Sequence, residues 1–430
     1  MIVVYSTSGE HHSKWVADRS EPSATSTPRR NANSSLQPID TANVVNVRSP
    51  QPIDTANVVN VRSPQPIDTA NVVNVRSPQP IDTANGAPIL IPSDNTNFEV
   101  LSVHRHHIFR DMIRHFRFEN ILTTNIKFQI IDARGENEKG EDLGGVHREV
   151  LTLFWNEFYN SCCLGQVEKV PTIRHDFTDE WTCAARVLVK GYMELGYLPV
   201  MLSHVFLHKV LSDDDLDQKS MLASYLNYIP TGDAKTIREV IDSPDEIDDE
   251  LAEELLDSLS DLKARRIVVK PSLVKELVLE LSHVALVQEP AFIANAWRDV
   301  FRGAVGDLNC QLKTALRNCK PTPRAVAKLL ISNEEMDQKN QEHFDWLVKF
   351  VKDCDERLLR DFLRFCTGAD VICVDGIKVT FNKLFGLNQR IVSHTCGCVL
   401  EVPVTYHSYL DFQNSFKNQL NSGFWEMDIV

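Results

Sequence analysis

No uncharged apolar run in this 430-residue chain approaches the roughly 20 residues that cross a bilayer, so no membrane span is expected. Basic charge is also short: 45 Lys and Arg stand against 59 Asp and Glu, a net charge of −14. That balance argues against a surface built for nucleic acid phosphates. Cysteine is missing from the first third of the chain, and no CxxC pair occurs among Cys162, Cys163, Cys183, Cys310, Cys319, Cys354, Cys366, Cys373, Cys396 and Cys398. Zinc ribbons and fingers are thereby excluded, and neither a metal nor a cofactor is expected. The opening Met1-Ile2-Val3-Val4-Tyr5 lacks the basic flank and apolar length of an export signal. Reduced thiols in cytosol or nucleus are the expectation.

What is present divides the chain. Residues 1–95 are rich in Ser, Thr, Pro and Asn and poor in aromatics, the composition of a disordered region. A 14-residue unit, Gln37 to Pro50, recurs from Gln51 and Gln65 and restarts at Gln79. It is shorter than the roughly 20 to 50 residues of stacking repeats, so duplicated low-complexity sequence is expected, with peptide docking as the alternative.

Beyond Asn97, Phe109, Met112, Ile113 and Phe116 recur at helical steps and predict an amphipathic helix over His104–Phe118. His107, Asp111 and His115 share a face of it, open to a metal site or a solvated basic surface. Ile126–Ile131 predicts a strand, Val146–Tyr159 a helix, and Glu180–Phe301 a mostly helical stretch. Within that stretch, Thr231–Leu262 carries twelve acids against Lys235 and Arg238, a solvated face or a lure for a basic partner. The polar segment Ile331–Asn340 predicts a linker. Past it come a helix over Phe344–Phe365, strands over 371–374, 377–381 and 398–404, and a last helix bearing Phe412, Phe416 and Leu420.

Three motifs carry a resemblance. Glu138 to Glu149, reading EKGEDLGGVHRE, resembles the E-x-G-x-D-x-G-G-x-x-R-E signature near the start of HECT-type ubiquitin ligase domains. Phe365-Cys366-Thr367-Gly368 is similar to their F-x-T-G element, and Ser393-His394-Thr395-Cys396 with Leu400, Pro403 and Tyr406 to their H-T-C segment. Order and spacing agree over residues 100–430, closest to the short G-two/M-phase-specific HECT group. The resemblance implies an α+β, bilobal fold after a disordered start: residues 1–95 disordered, 96–335 a large, mainly helical N-lobe, and 336–430 a small α/β C-lobe. It implies a ubiquitin-protein ligase whose partners are a ubiquitin-conjugating enzyme, ubiquitin and a protein substrate. Cys396 would be the thioester-forming residue, with His394 and Thr395 in support.

The chemistry asked of Cys396 is thiol exchange followed by aminolysis. Exchange between similar sulfur leaving groups is nearly balanced and needs positioning more than a strong base. His394, two residues earlier, shares a face with Cys396 if the segment is extended, and either supports the thiol or acts as general base. The flanks depart from the family: Arg390-Ile391-Val392 precedes the motif and Gly397-Cys398 follows it. Cys398 leaves a redox pair or metal ligation open. The altered flanks and a compressed stretch between Ser212 and Lys263 leave a non-catalytic, ubiquitin- or partner-binding module as the alternative. Asp142 is expected to cap the helix near Val146, and Glu401 and Asp428 are candidate acids near the acceptor lysine. Phe424 or Trp425 would supply the tail aromatic that family members dock on the N-lobe. Ser272–Leu286 aligns with the family helix that lines the conjugating-enzyme groove, placing Leu277 and Leu281 there, with core leucines as the bland reading.

Overall fold

The computed structural model describes Tyr5–Ser6 and residues 98–422, apart from 139–143, 213, 215, 246, 265, 268–269, 305–308, 333–335 and 387–388. The 14-residue repeats, Asp142, Asp428 and the tail aromatics Phe424 and Trp425 lie outside the described residues, as does all but Tyr5–Ser6 of the region expected to be disordered. Tyr5–Ser6 pairs antiparallel with Arg266–Ile267. Among the described residues no single helix is long and apolar enough to cross a membrane.

A parallel strand pair, Glu99–His104 against Ile126–Ile131, opens the stretch from residue 98 onward. Period-two alternation buries Leu101, Val103, Ile126, Phe128 and Ile130 on one face. The crossover helix is Ile108–His115, shorter than expected because Arg105–His107 form a tighter 3₁₀ turn and Phe116 closes the end. Its histidine face does not converge. Asp111 is buried and taken by His104, whose backbone N–H and Nδ1 lie 2.9 and 2.7 Å from its carboxylate, and His115 reaches the Ser102 carbonyl. Among the described residues no three His, Cys, Asp or Glu side chains gather as a metal site.

Three apolar cores organise the rest. The first surrounds helix Gly145–Cys162, whose Val150, Leu151, Phe154, Trp155 and Phe158 are all buried. Trp181 and Leu188 on helix Glu180–Leu195, and Ile293, Trp297 and Phe301 on helix Ala291–Ala304, close around it. Edge-to-face pairs such as Trp155 with Trp297, 6.1 Å apart, fit the quadrupoles of large rings. The second core lies among helices Gln218–Tyr228, Thr231–Asp242, Asp249–Asp261 and Pro271–His283, the last running into a π-helical turn at Val284–Gln288. In the acidic stretch Ile237, Val240, Leu255 and Leu259 turn inward, leaving most of the acids outward on two amphipathic helices.

The third core is the C-terminal one. A four-stranded sheet runs Leu330–Ile331, Ile377–Asn382, Val399–Pro403, Val392–His394; the first three strands are parallel and the last antiparallel. Helices Pro323–Leu329, Gln338–Asp353, Glu356–Thr367 and Tyr409–Ser422 pack on it, the last burying Phe412, Phe416 and Leu420 as its four-residue spacing requires.

Three expectations differ from this arrangement, the first being the single helix over Phe344–Phe365, which is two because Asp355 caps a new helix at Glu356. The boundary read at 335/336 falls later than the structural one, because Val326 and Leu330 are already in the C-terminal core and Leu330–Ile331 is a sheet strand. The strand read at 371–374 is irregular chain instead. Ala369 and Val371 insert into the first core, and the Ile372 N–H donates to the Cys319 carbonyl. Val371 is therefore apolar for a reason unrelated to the sheet.

Candidate functional site

Cys396 lies in a four-residue turn, Thr395–Cys398, that joins the antiparallel strands Val392–His394 and Val399–Pro403. The alternation expected to place His394 and Cys396 on one face stops at His394, because the chain bends there. Cys398 ends the turn with φ of +50°, the left-handed conformation that lets such loops rejoin a twisted hairpin. Its carbonyl accepts from the Lys378 N–H, anchoring the turn to the neighbouring strand.

Across the hairpin, His394 pairs with Val399 and Glu401 sits two residues on, the diagonal position on the same face. His394 Nε2 lies 3.1 Å from a Glu401 carboxylate oxygen, and Asn382 Nδ2 donates to the other oxygen at 3.3 Å. Glu401 is thus the orienting partner of His394, the third residue that the spacing of the motif did not provide.

The far side of the turn is the start of helix Gly145–Cys162. Gly144, with φ of +101°, holds the N-cap position without a side-chain cap. A Cβ on Gly145 would lie 2.8 Å from the Cys396 nitrogen and 3.0 Å from its sulfur, so only glycine admits this contact. Gly368 meets the same spot: a Cβ there would lie 2.7 Å from the Gly145 carbonyl.

Arg148, one turn along the helix and 7% exposed, reaches over both. Its Nε donates to the Thr367 carbonyl at 2.6 Å and its Nη2 to the Thr395 carbonyl at 2.7 Å, with Cys398 Sγ 3.4 Å from Nη2. The Thr367 carbonyl belongs to the last turn of helix Glu356–Thr367, where the helix itself leaves acceptors free. Thr152 continues the row, its hydroxyl donating to the Gly368 carbonyl at 3.1 Å. Beyond it Tyr197 donates to the buried Asp370 at 2.9 Å.

The three motifs, more than 200 residues apart in part, therefore meet at one point. Sequence reading missed Gly145 and Arg148 as neighbours of the Cys396 turn, and Thr152 as the next hydrogen bond in their row. The available signal was their helical spacing: with Glu149 they fall at i, i+3, i+4 and i+7, one face of the helix.

The thiols around the turn differ in character. Burial pushes the Cys398 thiol up, with the Arg148 charge opposing it. Burial also raises Cys366, and lifts Cys373 to about 12. Half-buried Cys396 remains between this layer and solvent, and Thr395 is buried beside it. Among the cysteines whose side chains are described, all nine are free thiols.

The predicted docking leucines separate. Leu277 is 2% exposed in the second core, so it faces no partner; Leu281 packs half-buried against the same core. Spacing alone does not distinguish a groove from a core, and here the core takes Leu277.

Residues 322–426 match the family model for the HECT domain (ubiquitin-transferase). The match starts where the C-terminal core starts and contains the whole cysteine turn with His394 and Glu401. No curated protein matches the chain.

Proposed function

We propose that this chain is a ubiquitin-protein ligase in which Cys396 carries ubiquitin as a thioester between a conjugating enzyme and a substrate lysine. The observation that carries the reading is the family match over 322–426, which contains the hairpin turn bearing half-buried Cys396. The Cys396 thiolate attacks the carbonyl of the conjugating enzyme's thioester, the C–S bond to that enzyme breaks, and its cysteine leaves as thiolate. A lysine amine then attacks the new thioester, loses a proton and displaces Cys396. We assign His394, whose ring meets Glu401, a supporting role beside the thiol, and Arg148 the holding of the Thr395 carbonyl at the start of the turn. Cys398, pushed toward the neutral thiol by burial and packed on Arg148, is assigned no covalent step.

The test is a non-reducing gel after incubation with activating enzyme, conjugating enzymes and ubiquitin. A thiol-labile adduct is expected for the native chain and for Cys398→Ser. Cys396→Ser should give a reductant-resistant oxyester or nothing. Loss of the labile adduct in Cys398→Ser alone reassigns the acceptor, and its absence from the native chain favours the non-catalytic binding module.

A further inference from the structure

The contact between Cys396 and the helix start restricts the sulfur. The side of the turn that faces Gly145 is covered at van der Waals distance, and the turn is held there through the Thr395 carbonyl and the Cys398 sulfur, both met by Arg148. One guanidinium ties the Thr395 carbonyl to the end of helix Glu356–Thr367, and charge-assisted hydrogen bonds of this kind are roughly twice as strong as neutral ones. The surrounding lobe is fixed by a different means, since Ala369 and Val371 are inserted in the first core. The turn, in contrast, joins a three-residue edge strand to the central strand Val399–Pro403, and only its Cys398 end is anchored to the sheet, by the Lys378 N–H. What moves most cheaply is therefore the Thr395–Cys396 half of the turn, and Arg148 restrains it from the helix side.

We infer that Arg148 is a positioning residue that latches the Cys396 turn against Gly145, and that releasing this latch exposes the sulfur for thiol exchange. The consequence for loading rests on the ligase reading above; the latch itself does not. Arg148→Ala removes both hydrogen bonds. Gly145→Ala leaves Arg148 in place but forces the turn away by the Cβ contacts at 2.8 and 3.0 Å. The two variants reach the same outcome by independent routes.

The experiment measures iodoacetamide alkylation of the native full-length chain, resolved by peptide mapping at Cys396, with fully buried Cys366 as the folding control. Both variants should alkylate Cys396 at least tenfold faster than the native chain while Cys366 stays protected. Arg148→Lys, which keeps one donor and the charge, should fall between. Unchanged Cys396 reactivity in both variants overturns the inference. Exposure of Cys366 in both also overturns it, since the contact is then part of the fold's stability and not a latch. A single-turnover transfer from a preloaded conjugating enzyme should in addition run faster in Gly145→Ala. Faster alkylation without faster loading ends the role in exchange. Faster alkylation in a chain that never accepts ubiquitin ends the ligase reading and leaves the latch standing.

Discussion

Asp370 is a carboxyl with little room for charge. Burial raises its pKa; the Tyr197 hydroxyl and the charges of Arg360 and Arg364 offset only part of that rise. The folded carboxyl thus holds its proton to higher pH than the unfolded one. Its contribution to stability is full below the unfolded value and is lost as pH rises through the folded one. Asp370→Asn, which keeps an acceptor for Tyr197, should remove this loss. Urea midpoints of the native chain should fall relative to Asp370→Asn as pH climbs from the acid range toward neutrality; parallel curves would show Asp370 ionised without penalty. Leu277 makes a second test at this scale. As a core residue, its replacement by alanine should cost about 2 to 5 kcal/mol in urea unfolding, whereas a groove leucine would cost little. At single-residue resolution, Cys396 was legible because a short motif marks it. Arg148 was not, because its partners Thr367 and Thr395 are distant in sequence and offer only backbone carbonyls, which no side-chain pattern records.

Elements were legible where apolar spacing repeats and opaque where a segment changes core. Phe412, Phe416 and Leu420 announce their helix, and Ile126 to Ile131 announce their strand. Ile331–Asn340 read as one polar linker, yet it begins in a sheet strand and ends in a helix cap, Asp337 accepting from the Asn340 N–H at 2.7 Å. A two-residue strand is too short for alternation to reveal. Leu330→Ala should therefore destabilise the protein by about 2 to 5 kcal/mol, against roughly 0.5 for a position in an exposed linker. Asp337→Ala should cost about 1 kcal/mol through the lost cap. Chemical denaturation of the two variants side by side distinguishes strand and cap from linker.

At the scale of the whole molecule, the described cores are built from residues 101–420. Residues 1–95 are short of the apolar side chains that would repay about 1 to 2 kcal/mol of ordering per residue. Their deletion, which removes only the two-residue pairing of Tyr5–Ser6 with Arg266–Ile267 from the described body, should leave Cys396 alkylation unchanged and the melting temperature nearly so, and a fall of several degrees would show that more of them packs on the body. The α+β class was legible through the resemblance that the three motifs carry. The meeting of 369–371 with the first core was not, since it depends on a segment leaving its own lobe. The second core, running from Val170 to Leu286, shares no member with the residues around Cys396. In evolutionary terms it is a cassette. Helices there can lengthen, shorten or change charge without disturbing Gly145, Arg148 or the turn, so the acidic surface and the cysteine turn are free to diverge at different rates within one chain.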